Sequence, residues 1–288
     1  MRLKKKLKAS QDKQKKLVIS KNLLKKRFAN KGKALFQNKT RGAGMRLQQT
    51  IYCRKSIRKY ADTLASEQEK EELLAFFNQI QPLYPNIKVK AEIYPREKVR
   101  AWFTPWQFPQ AIAIFSEEKE GYLENVGFIL QQVDLYLQTK GFGSCWLGIG
   151  KLNDKAEVLE AEKDGLKYII MIAFGVPMCA LKRGKDDFKR KALSEISDKI
   201  DERLECARLA PSSVNSQPWY FTHEREALHL YCSRQGLVKT VALGQLNRID
   251  VGIALAHLYV ENPTSFRFFK AEQAIEKKGY DYIGSFEI

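Results

Sequence analysis

Three segments of the chain carry residue types at spacings that can do chemistry. Arg54-Lys55-Ser56-Ile57-Arg58-Lys59-Tyr60 gathers cations around a hydroxyl. That set suits a phosphate monoester, because guanidinium gives forked, charge-assisted hydrogen bonds and Ser adds a neutral donor. Read alone, it is a basic surface loop. Ala210-Pro211-Ser212-Ser213-Val214-Asn215-Ser216-Gln217-Pro218-Trp219 packs small polar groups between stiffening prolines. Such a loop can hold amide and hydroxyl donors against a planar polar ligand; the plain alternative is a helix end followed by a turn. Gly141-Phe142-Gly143-Ser144-Cys145-Trp146-Leu147-Gly148-Ile149-Gly150 mixes glycine with bulky apolar residues. It lets backbone approach a flat ring while aromatics exclude water, or it is a glycine-rich link from helix to strand.

The elements that must position these segments alternate between helical and strand patterns. Helices are expected at Glu67–Gln79, at Tyr122–Thr139 with a stop at Gly141, at Ile196–Leu209 and at Asn247–Val260. Buried strands are expected at Ala111–Phe115 and Tyr168–Phe174, a hairpin from Trp219–Phe221 and Leu228–Tyr231, and a last strand at Asp281–Phe286. The helical stretches beginning Val126-Gly127 and Val251-Gly252 align with each other, and a Tyr-rich strand follows each. This suggests two tandem copies of one unit; coincidence between two amphipathic helices is the alternative.

Composition narrows the function classes. The 288 residues carry a net charge of +17, but residues 1–44 hold +15 of it, leaving a body of +2. So neutral a body makes no electrostatic demand on nucleic acid, and any such binding rests on residues 1–44. Those residues read as a solvated arm, a basic patch for nucleic acid or anionic lipid, or translated leader. Arg41-Gly42-Ala43-Gly44 ahead of Met45 can be encoded with a bacterial ribosome-binding site, so synthesis is expected to start at Met45. No apolar run reaches the roughly 20 residues of a membrane span. Five cysteines without a CxxC pair point to a reducing cytoplasm. His223, His229 and His257 lack metal spacing, and surface or core roles are expected for them. No Rossmann fingerprint or P-loop is present.

Together the three segments resemble the nitroreductase family of flavin mononucleotide (FMN) enzymes. RKSIRKY is similar to its RxSxR phosphate segment, CARLAPSSVNSQPWYF to its PSSxNxQPW loop, and GFGSCWLG to its GxGxCWxG stretch. Gly175-Val176-Pro177 followed by Lys189-Arg190-Lys191 resembles the late basic cluster that also reaches the phosphate. The resemblance implies an α+β, three-layer α-β-α fold over residues 46–288, with residues 1–45 a basic extension. It implies FMN as cofactor and NADH or NADPH as reductant, with a small flat electron-poor acceptor such as a nitroaromatic or quinone. It assigns Arg54, Lys55, Ser56, Arg58, Lys189 and Lys191 to phosphate and ribityl, and Pro211, Ser212, Ser213, Asn215 and Gln217 to the flavin from the second half. Trp146, Leu147 and Gly148 back the ring. No catalytic side chain and no metal are implied. A flavin-binding protein without turnover, a flavin store or redox sensor, is the alternative.

In ordinary members the PSSxNxQPW loop follows RxSxR closely, and two identical subunits share each site. Here the loop occurs only in the second half, which lacks the GxGxCW stretch and has Asn262-Pro263-Thr264-Ser265-Phe266 there. The resemblance is therefore to a tandem-duplicated subfamily: halves of about 46–191 and 192–288 form an intramolecular pseudo-dimer with one flavin site, and a monomer suffices. Around Trp102, Phe103, Trp106 and Phe108 no cation is seen to stabilise reduced flavin, although Lys98 and Arg100 lie nearby. Those aromatics either cover the flavin or belong to the core.

Overall fold

The structure is a computed structural model that describes residues 46–101, 104–153, 164–225, 227–234, 241–272 and 276–288. The basic extension and the pair Trp102 and Phe103 lie outside those residues. After a short helix α1 (Leu47–Ile51), α2 (Glu67–Gln79) starts at a reciprocal cap. The Ser66 hydroxyl accepts from the Glu69 N–H, while the Glu69 carboxylate accepts from the Ser66 N–H. Leu73 and Phe77, four apart, form its buried stripe.

The first sheet is antiparallel throughout, in the order β1 (Val89–Pro95), β3 (Gln110–Ser116), β6 (Lys167–Gly175), β4 (Gly143–Leu147). Every residue of β3 is buried, as its run Ala-Ile-Ala-Ile-Phe requires. One face of the sheet carries α3 (Tyr122–Thr139). The other is covered by a separate core of Val99, Phe108, Leu166 and Met171, beside a two-stranded ribbon of β2 (Val99–Ala101) and β5 (Gly150–Leu152).

After β6 come two one-turn helices, α4 (Leu193–Ile196) and α5 (Glu205–Arg208), in place of the continuous helix expected over 196–209. Polar side chains divert the backbone here. Ser197 bridges to Phe221, the His223 ring sits 2.6 Å from Asp198 and 3.0 Å from Asp201, and the Asp201 carboxylate caps the Arg203 N–H. The second sheet has the order β7 (Trp219–Glu224), β8 (Ala227–Ser233), β10 (Tyr280–Glu287), β9 (Arg267–Phe269), again antiparallel. The helix α6 (Val241–Glu261) packs on it.

Each four-stranded sheet thus runs first, second, fourth, third strand in its own stretch of chain, with a long helix joining the second strand to the third. The two long helices pack against each other more extensively than any other helices. Their crossing is reciprocal. A Cβ on Gly127 would lie 2.1 Å from the Ile249 carbonyl oxygen, and a Cβ on Gly252 would lie 2.1 Å from that of Glu124. Only glycine lets the two backbones come so close, and Gly252 stands in α6 where Gly127 stands in α3.

Candidate active site

The segments of chemical interest meet along one line of contacts. Residues 54–57 run beside β4: the Ile57 N–H donates to the Ser144 carbonyl at 2.8 Å, and Ser56 bridges to Ser144. On the other side Arg54 bridges to Lys182, and Arg183 Nε donates to the Arg54 carbonyl at 2.7 Å. The Arg183 guanidinium stacks 3.6 Å over Phe188, whose other neighbour is Arg190. Arg190 in turn donates to Asn215 Oδ1 at 2.6 Å and to the Ala210 carbonyl at 3.0 Å, which brings the Pro211–Gln217 loop to the same place.

The orientation of the first segment differs from a simple surface loop. Arg54 is 1% exposed and points inward, its Nε 2.9 Å from Asp134 Oδ2 in an ion pair outside hydrogen-bond geometry. Its Nη2 is buried without a partner. Lys55 and Ser56 are half-buried, and Arg58 is exposed, as is Lys189. Burial, and then the Arg54 charge, bring Arg183 down to about 10. Burial, and then Arg183, Arg54 and Arg208, do the same for Arg190. The three guanidiniums oppose one another's charge, with Asp134 paired to Arg54 and Asp187 partly offsetting the shift at Arg183. Sequence reading missed Arg183 and left Arg190 out in favour of the lysines beside it. Arg190 lies inside the quoted basic run, but nothing local marks Arg183.

The loop is built under strain. Val214, Asn215 and Gln217 have φ of 46°, 58° and 47°, a left-handed region costly above all for β-branched valine. Three fastenings hold it: Ser212 Oγ accepts the Gln217 N–H, Gln217 Oε1 accepts the Lys191 N–H at 2.8 Å, and Asp250 accepts the Ser213 N–H at 2.9 Å. The Gln217 amide, 3% exposed, and the Asn215 amide are therefore braces of the loop. Pro211 is buried, while Ser212 and Ser213 are half-buried.

Residues 143–147 are an edge strand, not a connection. Gly143 does not leave room for a ring, since its missing Cβ position is 2.7 Å from Ile57. Trp146 is half-buried and its indole N–H donates to Gln131 Oε1, Leu147 is buried, and Gly148 turns at the exposed tip. Behind the strand runs a buried polar chain. Ser144 Oγ donates to Asp134, Gln131 Nε2 donates to Asp134 at 3.1 Å and faces His257 Nε2 at 3.1 Å, and His257 Nδ1 reaches the Cys206 carbonyl at 2.8 Å. With Nδ1 facing a carbonyl and Nε2 facing an amide N–H, the ring is neutral; burial pushes its pKa down to about 3.

Other groupings have simpler roles. Phe108 is core, Trp106 packs against it and Tyr60, and Arg96 stacks over Phe108. Arg100 donates to Asn153. Ser285, His229 and Glu224 form a hydrogen-bonded row, but Ser285 is fully buried and no substrate reaches it. Among the described residues no group of His, Cys, Asp and Glu could hold a metal, and no helix is long and apolar enough to cross a membrane.

Comparison with known proteins bears on the fold and the family. No curated protein sequence matches. The structure of a "putative nitroreductase" from Thermotoga maritima, 19% identical, matches 85% of this chain and 94% of its own with a TM-score of 0.57, which shows the fold. A nitroreductase family protein from Clostridium novyi is 18% identical and matches 50% of this chain and 91% of its own (TM-score 0.37). An FMN-dependent nitroreductase from Clostridium difficile is 17% identical and matches 47% and 91% (TM-score 0.38). The family described as "Putative TM nitroreductase" matches residues 46–262, and the chain belongs to it.

Proposed function

We propose that this oxidoreductase uses FMN, drawing hydride from NADH or NADPH and passing it to a small, flat, electron-poor acceptor such as a nitroaromatic or quinone. The observation that carries the proposal is the pair Arg183 and Arg190, set around Phe188 where the phosphate-type segment, the edge strand and the strained loop converge. A phosphate ester suits such a pair, since guanidinium gives it forked, charge-assisted hydrogen bonds. The chemistry supplied by bound flavin is acceptance of hydride at N5 and its return to the acceptor.

The chain's own residues bind and orient. Arg54, Lys55, Ser56 and Arg58, with Arg183, Lys189, Arg190 and Lys191, hold phosphate and ribityl. Pro211, Ser212 and Ser213 meet the ring edge, in a loop kept in shape by Asn215 and Gln217. Trp146, Leu147 and Gly148 back the ring and exclude water. Hydride transfer needs no protein acid or base, which fits a neutral, inaccessible His257. The matching sheet orders and the reciprocal glycine crossing support two tandem halves, about 46–191 and 192–288, that form a pseudo-dimer within one chain, so a monomer completes the site. Five unpaired cysteines fit a reducing cytoplasm.

The test is the visible spectrum of the purified full chain before and after anaerobic NADH or NADPH. A yellow protein that bleaches is the expected result. Colour that persists would move the reading to flavin binding without turnover, and a colourless chain that cannot be reconstituted with FMN would end it.

A further inference from the structure

The two long helices each fasten a loop by the same hydrogen bond. Asp250, two residues before Gly252 in α6, accepts the Ser213 N–H at 2.9 Å. Asn125, two residues before Gly127 in α3, accepts the Tyr84 N–H at 3.0 Å through Oδ1. With Ser213 set on Tyr84, the run Pro82-Leu83-Tyr84-Pro85-Asn86 falls in step with Pro211-Ser212-Ser213-Val214-Asn215, proline on proline and asparagine on asparagine. The first half therefore has its own version of the loop, without the left-handed backbone and with Leu83 and Tyr84 in place of both serines.

The opposite wall has a counterpart too. The edge strand β4 corresponds in sheet order to β9. Trp146 pairs with Ile172 and Phe268 with Phe286, two residues beyond matching irregularities in the two sheets, so Phe268 stands where Trp146 does, facing Tyr84. Here the two sides touch, with ring centroids 5.6 Å apart and edge to face. The fit is close on both flanks: a Cβ on Gly121 would lie 2.6 Å from the Tyr84 ring, and one on Gly284 would lie 2.4 Å from Phe268. The Tyr84 hydroxyl is buried without a partner, the mark of a side chain put there for its bulk. The basic run 183–191 is already engaged at the first site through Arg54 and Asn215.

We infer that the chain retains a two-fold counterpart of its flavin ring site, and that Tyr84 and Phe268 close it from within, so one chain takes one flavin. This rests on the flavin reading above. With the basic run 183–191 held at the first site, a ring-only flavin is the right probe for the counterpart once opened. Wild-type chain titrated with FMN is expected to saturate at one equivalent, and the FMN-loaded chain to take up no lumiflavin. FMN-loaded Tyr84→Ala/Phe268→Ala chain, shown folded by circular dichroism, is expected to take up one lumiflavin; Tyr84→Ala alone serves if the double variant does not fold. Saturation of wild type at two FMN, or no lumiflavin uptake by the folded variant, would overturn the closed counterpart and leave the flavin reading standing. No FMN binding by wild type would overturn both.

Discussion

Asp250 joins the loop to α6 through a carboxylate that is 3% exposed. Burial raises its pKa from 3.8 to about 8, against the opposing pull of the Ser213 N–H and the Ser216 hydroxyl. Between those values the folded state holds a proton that the unfolded chain has lost, so stability falls as pH rises. From pH 6.5 to 8 the loss should be on the order of 2 kcal/mol in urea-unfolding experiments, and Asp250→Asn should flatten that limb. Val214 is 88% exposed at φ 46°, so Val214→Gly should raise stability by up to about 1 kcal/mol, read as a higher urea midpoint. If Arg190 holds phosphate, Arg190→Ala should weaken FMN roughly 100-fold while affecting riboflavin, which lacks phosphate, much less. The serine–asparagine loop was legible in the sequence because proline and small polar residues advertise a built turn. Which amides brace it and which residues complete the arginine cluster was not, because both depend on Lys191 and Arg183 arriving from the end of the first sheet.

The crossing of α3 and α6 is the element on which the architecture turns. Gly127→Ala or Gly252→Ala would drive a methyl into a carbonyl oxygen of the facing helix and should cost about 3 kcal/mol. Gly244, in the same α6 but with nothing within 4 Å of its missing Cβ, is the control. Gly244→Ala should stabilise by up to about 1 kcal/mol through helix propensity alone, and thermal unfolding of the three variants separates the effects. Helices α3 and α2 were readable to the residue, from apolar spacing and, for α3, the stop at Gly141. The edge strand β1 escaped because Val89–Pro95 is mostly half-buried and ends in proline. The supposed helix over 196–209 failed for the reverse reason. Its apolar spacing is genuine, but Ser197, Asp198 and Asp201 found partners on β7 and its flank that a single-segment reading does not contain.

At the scale of the whole molecule, acid stability should follow His257. The folded state keeps its ring neutral down to about pH 3, whereas the unfolded chain binds that proton below 6.5. Stability from this group is therefore complete above 6.5 and is lost as pH falls through that window. Over pH 3.8 to 6.5 the slopes from His257 and Asp250 oppose each other, so these two groups predict a plateau there with losses on either side, which a pH series of urea midpoints will show. The duplicated sheet order also has a consequence for evolution and for handling. Both helices of the crossing, and both sides of the arginine cluster, belong to one polypeptide. A cleft shared between separate subunits comes apart when the protein is diluted below their Kd, whereas here the second wall is tethered at a fixed effective concentration. Each wall is also encoded once. A substitution on one side is not copied to the other, so the Pro211–Gln217 loop and the run 82–86 are free to diverge.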